Sequence, residues 1–502
     1  MTDSHPPPDQ PDSLRQHATL EEYAFTSAAP VVGGLIARMR RAWNDVATKW
    51  QVRPLIEQQS AFNRTLAEWL VQQPRQADID EQLVGNDRSQ MALVRDTGRL
   101  AMLARRLRRG SSGRRPRVAY FSPLPPSRSG IADYSAELLP HLAGQVDVTV
   151  FAENPAILDI SGLSVRPASN FPREHAEFDV SLYQMGNSDQ HELIYSMLLR
   201  YPGIVVLHDY FLHHFIRHRT VGRADWVAYE RELRYALGGA GRDLAHAIKR
   251  GNADAPLFEE PLNQRLIDAS LGLIVHSQYA ARQARIYRPD LPLAVVPALV
   301  EPHTGHTLRG RLALPKDAIL FGSFGQITTE KRTDAALRAF RGMLERYPNA
   351  RYLLVGDPQP DVDLGILLDQ LGIGDAVHRA GYVENLDEFV NWIHTADVVV
   401  NLRQPTVGET SAVALRAMAA ARPLIVYDHA WYSEIPDAAA MKVPPGDDSA
   451  LQQAMESLAQ SAEMRRRMGQ AGQEFVLERC SPARVAAAYA DFIRDVLEPT
   501  NG

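Results

Sequence analysis

The chain has 502 residues, of which 45% are hydrophobic and 23% charged, and its net charge is -6. This length accommodates two or three domains with separate hydrophobic cores, and the composition is that of a soluble globular protein. The negative balance gives no reason to expect nucleic acid as a partner. A single cysteine, Cys480, excludes an internal disulfide and is typical of a reducing compartment.

The N-terminal residues 1–20 are biased toward Pro, Asp and Ser, which predicts a disordered tail. They lack a positively charged start followed by an apolar core, so we do not expect a signal peptide. No apolar run approaches the ~20 residues that span a bilayer. These features predict a cytoplasmic protein that is soluble or attached at most to the surface of a membrane.

Residues 21–115 form a predicted helical extension in which apolar side chains recur every three or four positions beside arginines. The basic amphipathic helices within 31–57, which carries Trp43 and Trp50, and within 97–109 allow two interpretations. They could lie on an anionic membrane near a lipid-linked acceptor. Alternatively, their apolar stripes pack inside the protein or in an oligomer, which is the commoner role of amphipathic helices and the one we expect.

Two successive stretches, 116–302 and 303–480, alternate short apolar runs with helical segments, a pattern that predicts parallel sheets covered on both faces. The predicted strands are residues 117–123, 147–153, 179–185, 203–209, 271–277, 318–325, 350–357, 376–383, 397–403 and 422–428. A final helix, 482–497, lies within the C-terminal segment 481–502. The sequence therefore predicts an α/β protein with two Rossmann-like, doubly wound domains and a cleft between them.

In such sheets, ligands bind beyond the carboxyl ends of the strands. The first strand leads into SPLPPSRSGIADYS, where Ser129 and Gly130 precede a helix and their backbone N–H groups could approach a phosphate. A tight turn without a ligand is the alternative. The segment is neither a Walker loop nor a G-x-G-x-x-G fingerprint, which disfavours a kinase or a dinucleotide-binding enzyme.

A later strand of the first domain ends at His208 and Asp209, at the predicted edge of the cleft. The His208 ring is suited to contact a sugar hydroxyl or a leaving phosphate. His213, His214 and His218 follow, but without a cysteine or an HExxH pattern we predict that they lie on a helix surface and bind no metal.

The second domain opens with GSFGQITTEKR, in which Gly325 permits a tight strand-to-helix turn. Lys331 and Arg332 stand at the start of the next helix and are predicted to clamp a diphosphate, with solvated surface charge as the alternative. Tyr382 and Val383 end a later strand and are predicted to line a nucleobase pocket.

The GETS sequence at another helix start supplies Glu409, Thr410 and Ser411. The carboxylate is predicted to bind a sugar hydroxyl, and the two following residues to present backbone N–H groups to phosphate oxygens. A helix cap without any ligand is the alternative. Two D-x-D sequences, 78–80 and 361–363, are predicted to be ordinary helix-start acids rather than metal–diphosphate ligands.

With these motifs in view, residues 117 to 495 resemble the family 4 retaining glycosyltransferases of the two-Rossmann (GT-B) type, in particular bacterial members active in surface-polysaccharide assembly. The similarity rests on SPLPPSRSGIADYS, HDYFLHH, IVHSQYA, FGQITTEKR and the signature between Pro405 and Pro423. The last helix resembles the one that crosses back onto the first domain of such enzymes.

The resemblance implies a transferase that moves a hexose-type sugar from a nucleotide-sugar to a glycan or lipid-linked acceptor, with retention and without metal or other cofactor. By position, Gly130 would lie under the diphosphate and His208 near the primary hydroxyl of the transferred sugar. Lys331 would neutralise the leaving diphosphate, and Glu409 would hold sugar hydroxyls.

The sequence departs from the family pattern at two positions. Gln326 stands where the family often places an arginine, and Arg416 stands where the second signature glutamate is expected, which puts a ribose contact in doubt. Two other functions stay open: a sugar-nucleotide epimerase of the same architecture, and an inactive transferase-like scaffold tethered by its helical extension.

Overall fold

The structure is a computed structural model that describes residues 38–39, 57–65, 76–109, 114–154, 162–312, 314–315 and 317–498. The chain divides at Leu83 into two compact units. The described residues of the first unit are helical, and the predictions for residues 1–20 and for most of 31–57 lie outside the described residues. Throughout the described part, no helix is both long and apolar enough to cross a membrane.

The second unit, which starts at Val84, begins inside a long helix and continues into a first parallel sheet. Within the described residues this sheet has seven strands in the order β3-β2-β1-β4-β5-β6-β7. The strands are β1 (Arg117–Phe121), β2 (Asp147–Ala152), β3 (Ser164–Pro167), β4 (Val180–Met185), β5 (Ile204–Leu207), β6 (Gly272–Val275) and β7 (Leu293–Val295). The helices up to this point are α1 (Gln76–Arg109), α2 (Gly130–Ala143), α3 (Phe171–Glu174), α4 (Glu192–Arg200), α5 (His213–Arg219), α6 (Trp226–Leu237), α7 (Gly239–Lys249), α8 (Gln264–Ala269) and α9 (Gln278–Tyr287).

A second parallel sheet follows, with six strands in the order β10-β9-β8-β11-β12-β13 among the described residues. Its strands are β8 (Leu320–Phe324), β9 (Arg351–Val355), β10 (Val377–Gly381), β11 (Val398–Val400), β12 (Leu424–Tyr427) and β13 (Ala440–Val443). The remaining helices are α10 (Thr333–Met343), α11 (Leu364–Leu371), α12 (Leu386–Thr395), α13 (Ala412–Ala419), α14 (Asp448–Gln460), α15 (Ala462–Arg479) and α16 (Pro482–Leu497). The predicted fold of two Rossmann-like domains is confirmed, and we call the parts built on the two sheets the first and second domain.

The central strands are buried on both faces, as the sequence predicts for parallel sheets. All six residues of β4 and all four of β5 are buried. The sequence missed β3, β7 and β13, each of which lies at an edge of its sheet. The residues of β3 and β7 are largely half-buried, so these strands lack the continuous apolar run by which central strands are recognised.

The last helix, α16, begins and ends where the sequence predicts and packs on the first domain. The hydroxyl groups of Tyr489 and Tyr134 are 2.7 Å apart, which joins α16 to α2. Phe492 and Val496 cover Gly272 at the start of β6, where an added Cβ would be 2.9–3.0 Å from their side chains. The chain therefore completes the first domain only after it has formed the second.

The exposed side of α1 differs from the expectation that apolar stripes pack inside the protein. Leu93 and Leu100 are each 68% exposed and Leu107 is 82% exposed, whereas Met102 is buried in the core of the first domain. Among the described residues, Leu100 and Leu107 therefore do not pack inside the protein, and packing in an oligomer stays a prediction. They lie on the side of the helix that no described residue covers.

The two D-x-D sequences lie at helix starts. Residues 78–80 belong to the first turn of α1. Asp363 is the N-cap of α11 and accepts a hydrogen bond of 2.9 Å from the Ile366 backbone N–H, while Asp361 accepts one of 3.2 Å from Thr329 Oγ1. Both acids of 361–363 therefore have local structural roles.

Candidate active site

Two adjoining cavities lie between the first and second domains at the carboxyl ends of the strands. The smaller has a volume of about 410 Å³ and the larger about 840 Å³. Ser129, Gly130, Ala412, Val413 and Arg416 line both. The predicted site residues His208, Lys331, Glu409, Thr410 and Ser411 line the smaller cavity, and Gly325, Tyr382 and Val383 line the larger. Except for Arg332, all the side chains and loops predicted from strand ends thus meet in one cleft.

Ser129 and Gly130 bring the start of α2 to both cavities. Ser129 is the N-cap, and its Oγ accepts a hydrogen bond of 3.2 Å from the Ile131 backbone N–H. The first N–H groups of a helix have no partner inside the helix, and the helix dipole favours negative charge there. The start of α2 can therefore receive an anionic group such as a phosphate.

His208 is held by the protein through both ring nitrogens. Nε2 lies 2.7 Å from Gln184 Oε1, and Nδ1 lies 3.2 Å from Nε2 of His276. Since Nδ1 of His276 donates to a backbone carbonyl 2.8 Å away, Nε2 of His276 is an acceptor. Burial holds the pKa of His208 well below its usual value. A sugar hydroxyl could reach a ring nitrogen only by replacing one of these partners.

The histidines that follow His208 do not all lie on a helix surface. His213 is fully buried, with Nδ1 3.0 Å from Glu260 O and Nε2 2.8 Å from the hydroxyl of Tyr229. The surface prediction is wrong for His213 because the first side chain of α5 packs against Tyr229 and the backbone of Glu260, whereas His218 is exposed. In the described part of the chain, no group of three or more His, Cys, Asp or Glu side chains could hold a metal ion.

Asp209 lines the smaller cavity beside His208. Its Oδ2 accepts a hydrogen bond of 2.8 Å from the Asn187 backbone N–H. Burial, together with the negative charge of Glu409, raises the pKa of Asp209 to about 7. The carboxyl group can therefore be protonated or ionised near neutral pH.

Lys331 supplies positive charge from the second domain. Its Nζ donates a hydrogen bond of 2.9 Å to Phe324 O, and burial together with the charge of Arg403 lowers the pKa of Lys331 to about 7. Gly325 has a φ of 80°, and an added Cβ there would lie 2.7 Å from Nζ. The glycine therefore permits both the turn and the position of the lysine.

Arg332 is directed away from the residues with which it was predicted to act. Its Nε is 3.2 Å from Asp334 Oδ1, and its Nη1 donates a hydrogen bond of 3.2 Å to Gln404 Oε1. It lines neither cavity. The structure therefore brings Lys331, but not Arg332, to the rest of the site.

Arg403 is a cation of the smaller cavity that the sequence analysis missed. Its Nε lies 2.7 Å from Oε1 of Glu409, whose Oε2 accepts hydrogen bonds of 2.6 Å from Thr406 Oγ1 and 2.9 Å from the Val407 N–H. The ion pair and these two bonds fix the carboxylate inside its own loop. Arg403 is the third residue after strand β11 (Val398–Val400), so its position in the loop after a strand end was the signal that could have identified it.

Thr410 and Ser411 lie at the start of α13. Ser411 is the N-cap, accepting from the Ala414 N–H at 3.2 Å, and it also receives a hydrogen bond of 2.9 Å from Asn401 Nδ2. Ser411 therefore caps α13, as the alternative without a ligand predicts, but the start of α13 still faces the smaller cavity. Among the described atoms, the buried Oγ1 of Thr410 has no hydrogen-bond partner.

The larger cavity has an aromatic side chain at its margin. Tyr382 is 50% exposed, and the guanidinium carbon of Arg128, from the first domain, lies 5.0 Å from the centre of its ring. The backbone N–H of Tyr382 donates a hydrogen bond of 3.1 Å to Asp357 Oδ1. Gln326 also lines this cavity and is exposed. An aromatic face and backbone groups at this position suit a planar ring.

Charged groups join the two domains around the cavities. Arg416 Nη2 lies 2.6 Å from Glu137 Oε1, and both side chains are 11% exposed. Glu434 accepts hydrogen bonds of 2.9 and 2.7 Å from the N–H groups of Gln278 and Tyr279 at the start of α9. Arg416, which stands where the family resemblance predicts a glutamate, therefore forms an ion pair across the cleft.

Comparison with known proteins identifies the second domain. Residues 306–475 match the family model of Glycosyl transferases group 1. An uncharacterized glycosyltransferase of Methanocaldococcus jannaschii is 29% identical over 75 residues, which are 15% of this chain and 18% of that protein. The match thus spans less than a fifth of that relative.

Solved structures resemble most of the chain. Anabaena HepE in complex with UDP has a TM-score of 0.55 and 15% identity, covering 76% of this chain and 100% of HepE. The HepE complex with UDP-glucose has a TM-score of 0.54 at 15% identity with the same coverage. Sucrose-phosphate synthase from Thermosynechococcus elongatus has a TM-score of 0.51 and 17% identity, covering 76% of this chain and 99% of that chain.

At these identities the structural matches establish the fold, which is the GT-B fold of those enzymes. The resemblance to glycosyltransferases that the sequence motifs indicated is confirmed by the family match. The chain has a GT-B fold, and residues 306–475 of its second domain match the family model of Glycosyl transferases group 1.

Proposed function

We propose that this protein is a retaining glycosyltransferase that moves a hexose-type sugar from a nucleotide-sugar to a glycan or lipid-linked acceptor in the assembly of a bacterial surface polysaccharide. The observation that carries the proposal is the smaller cavity. Lys331 and the start of α13 approach it from the second domain, and His208 with the start of α2 approach it from the first. This arrangement supports a donor bound between the two domains.

The cavity offers groups of complementary charge to a diphosphate and a sugar. Lys331 and the N–H groups at the starts of α2 and α13 favour an anion. As the bond to the sugar breaks, negative charge grows on the leaving diphosphate, and a fixed cation stabilises that charge more strongly in the transition state. In this proposal Lys331 takes the role that a metal ion plays in other transferases, and no metal is required.

The proposed donor site continues from the smaller cavity into the larger one through their shared residues, Ser129 and Gly130 among them. In this arrangement the diphosphate lies near Gly130 and Lys331, and the nucleobase lies toward Tyr382 and Val383. The sugar lies toward Asp209 and Glu409. The larger cavity, of about 840 Å³, has room for a nucleoside.

Binding of a donor can be measured by thermal unfolding, because a ligand that binds the native state raises its melting temperature. The panel contains UDP-, GDP- and ADP-sugars, with UDP-glucose first because HepE binds it. Lys331→Met is expected to remove the shift, whereas Lys442→Met is expected to keep it. Lys442 lines neither cavity and, like Lys331, donates to a backbone carbonyl, that of Ser433 at 3.0 Å. If no nucleotide-sugar of the panel raises the melting temperature, the proposal is refuted and the inactive transferase-like scaffold is the remaining interpretation.

One observation favours the epimerase as a second candidate. Asp209, whose pKa lies near 7, is in the same cavity as Glu409, and paired carboxyl groups can act as acid and base. Incubation with a nucleotide-sugar and no acceptor distinguishes the two functions. Appearance of an epimer in the product would replace the transferase proposal, and unchanged donor would support it.

The proposed cellular site is the cytoplasmic face of a membrane, reached through the basic helical extension. Leu93, Leu100 and Leu107 are exposed on α1 at intervals of seven residues. Arginines surround the last two, and such a surface suits an anionic lipid headgroup layer. We expect the full chain to float with anionic liposomes and the variant Leu100→Ser/Leu107→Ser to float less. Equal recovery of both proteins in the unbound fraction would exclude the membrane contact.

A further inference from the structure

His191 borders the smaller cavity in a way that neither the sequence motifs nor the donor arrangement uses. It ends a short 3-10 helix, Asp189–His191, between β4 and α4, and only 1% of its surface is exposed. Its Nδ1 is 3.2 Å from the backbone carbonyl of Ser188 and 3.1 Å from the Ser188 hydroxyl. Among the described residues, nothing forms a hydrogen bond with Nε2.

The contacts of Nδ1 determine the chemistry of the opposite nitrogen. Because a carbonyl oxygen only accepts, the close contact with Ser188 O places the ring proton on Nδ1. Burial lowers the pKa of His191 to about 4, so the ring is neutral at physiological pH. The unpartnered Nε2 is therefore a hydrogen-bond acceptor, and leaving such a buried acceptor unpaired is costly.

Gly186 lets the ring of His191 and the carboxyl group of Asp209 approach the same point of the backbone closely. A Cβ added to Gly186 would lie 3.1 Å from both Cε1 of His191 and Oδ2 of Asp209. Both side chains also line the cavity that contains Lys331. The first domain thus presents two neighbouring acceptors, an imidazole nitrogen and a carboxyl group, opposite a cation of the second domain.

We propose that His191 binds the sugar of the donor, its Nε2 accepting a hydrogen bond from a hydroxyl of that sugar. The inference rests on the proposed function, in which the diphosphate lies at Lys331 and the sugar extends toward the first domain. Hydrogen-bond acceptors bind hydroxyl groups and disfavour anions, so these two acceptors suit a sugar rather than a second phosphate. His191 thereby contributes to the choice of sugar, independently of the choice of base.

The test compares two ligands that differ only by the sugar. Dissociation constants are measured by calorimetry for the nucleotide-sugar that stabilises the protein most and for the corresponding nucleoside diphosphate. In His191→Phe, binding of the nucleotide-sugar is expected to weaken by about 3- to 10-fold relative to binding of the nucleoside diphosphate, which is the effect of losing one neutral hydrogen bond. His191→Gln retains an acceptor and is expected to recover part of the ratio.

His213→Phe is the matched control. His213 is also a buried neutral histidine of the first domain, with a pKa of about 4, but it lines neither cavity. The variant His213→Phe is expected to change the stability of the protein but to keep the ratio of the two dissociation constants within about twofold of the wild-type value. An unchanged ratio in His191→Phe, with diphosphate binding intact, would overturn the inference while the proposed function stands. Absence of binding by the wild-type protein would overturn the proposed function itself.

Discussion

Replacement of Lys331 by methionine tests the electrostatics of the site most directly. The lysine is half-buried beside Arg403, and its pKa is lowered to about 7. A bound diphosphate adds negative charge next to the amine and restores the charged form. Binding of a nucleotide-sugar should therefore take up a proton, and Lys331→Met should abolish this uptake together with most of the affinity.

The size of the effect follows from the pKa of the free protein. With a value of about 7, the amine is roughly nine-tenths charged at pH 6, about half charged at pH 7 and about one-tenth charged at pH 8. If the bound form is fully charged, uptake is about 0.1 proton at pH 6, about 0.5 at pH 7 and about 0.9 at pH 8. The affinity then falls about 10-fold from pH 6 to pH 8.

Calorimetry in two buffers with different heats of ionisation measures the proton uptake. The ligand is a nucleotide-sugar, because a terminal phosphate has its own pKa of about 6, whereas each phosphorus of a nucleotide-sugar carries one ester and one anhydride bond and keeps only a strongly acidic hydroxyl. Lys442→Met is expected to behave as the wild type. A proton change that persists in Lys331→Met would belong to Asp209, which also has a pKa of about 7. Uptake of the same size in wild type and Lys331→Met would refute the reasoning.

Three further substitutions probe the surroundings of the site. Gly408 has a φ of 74°, and an added Cβ would lie 2.7 Å from the Cβ of Tyr210. Gly408→Ala should therefore weaken donor binding and lower the midpoint of urea unfolding. An unchanged midpoint would contradict this prediction. Tyr489→Phe removes the hydrogen bond to Tyr134 and should cost about 1 kcal/mol in urea unfolding; no loss would show that this bond adds nothing. Glu409→Gln breaks the partly buried ion pair with Arg403 and should lower the free energy of unfolding by about 3 kcal/mol. A decrease below ~1 kcal/mol would argue against a carboxylate fixed by that pair.

Much of the candidate site was predictable because parallel strands deliver their carboxyl ends to one edge. Lys331 and Glu409 follow the neighbouring strands β8 and β11 and therefore lie at one edge of the second sheet, and the packing of the two domains brings His208 to the same cleft. What the sequence could not show was the pairing within the site. Arg403 holds Glu409, and only the fold reveals that the carboxylate is already bound.

Two other residues show where sequence reasoning stops. His191 belongs to no recognisable sequence motif, and the role proposed for it depends on which of its nitrogens the backbone occupies. Arg332 is adjacent to Lys331 in sequence, yet the αL conformation of its backbone, with φ of 49°, and the pairing with Asp334 direct it elsewhere. Adjacent positions on a chain do not imply adjacent side chains, because the first turn of a helix rotates successive residues to different faces.

The return of α16 to the first domain has a mechanical consequence. The backbone passes between the domains twice, before β8 and again ahead of α16, and the two passages are tied by a hydrogen bond of 3.0 Å from the Val300 N–H to Cys480 O. A single connection would allow the domains to twist about it, whereas two connections side by side act as a hinge with a defined axis. We therefore expect any relative motion of the domains to be mainly bending, a motion that would open and close the cleft without twisting the two domains out of register.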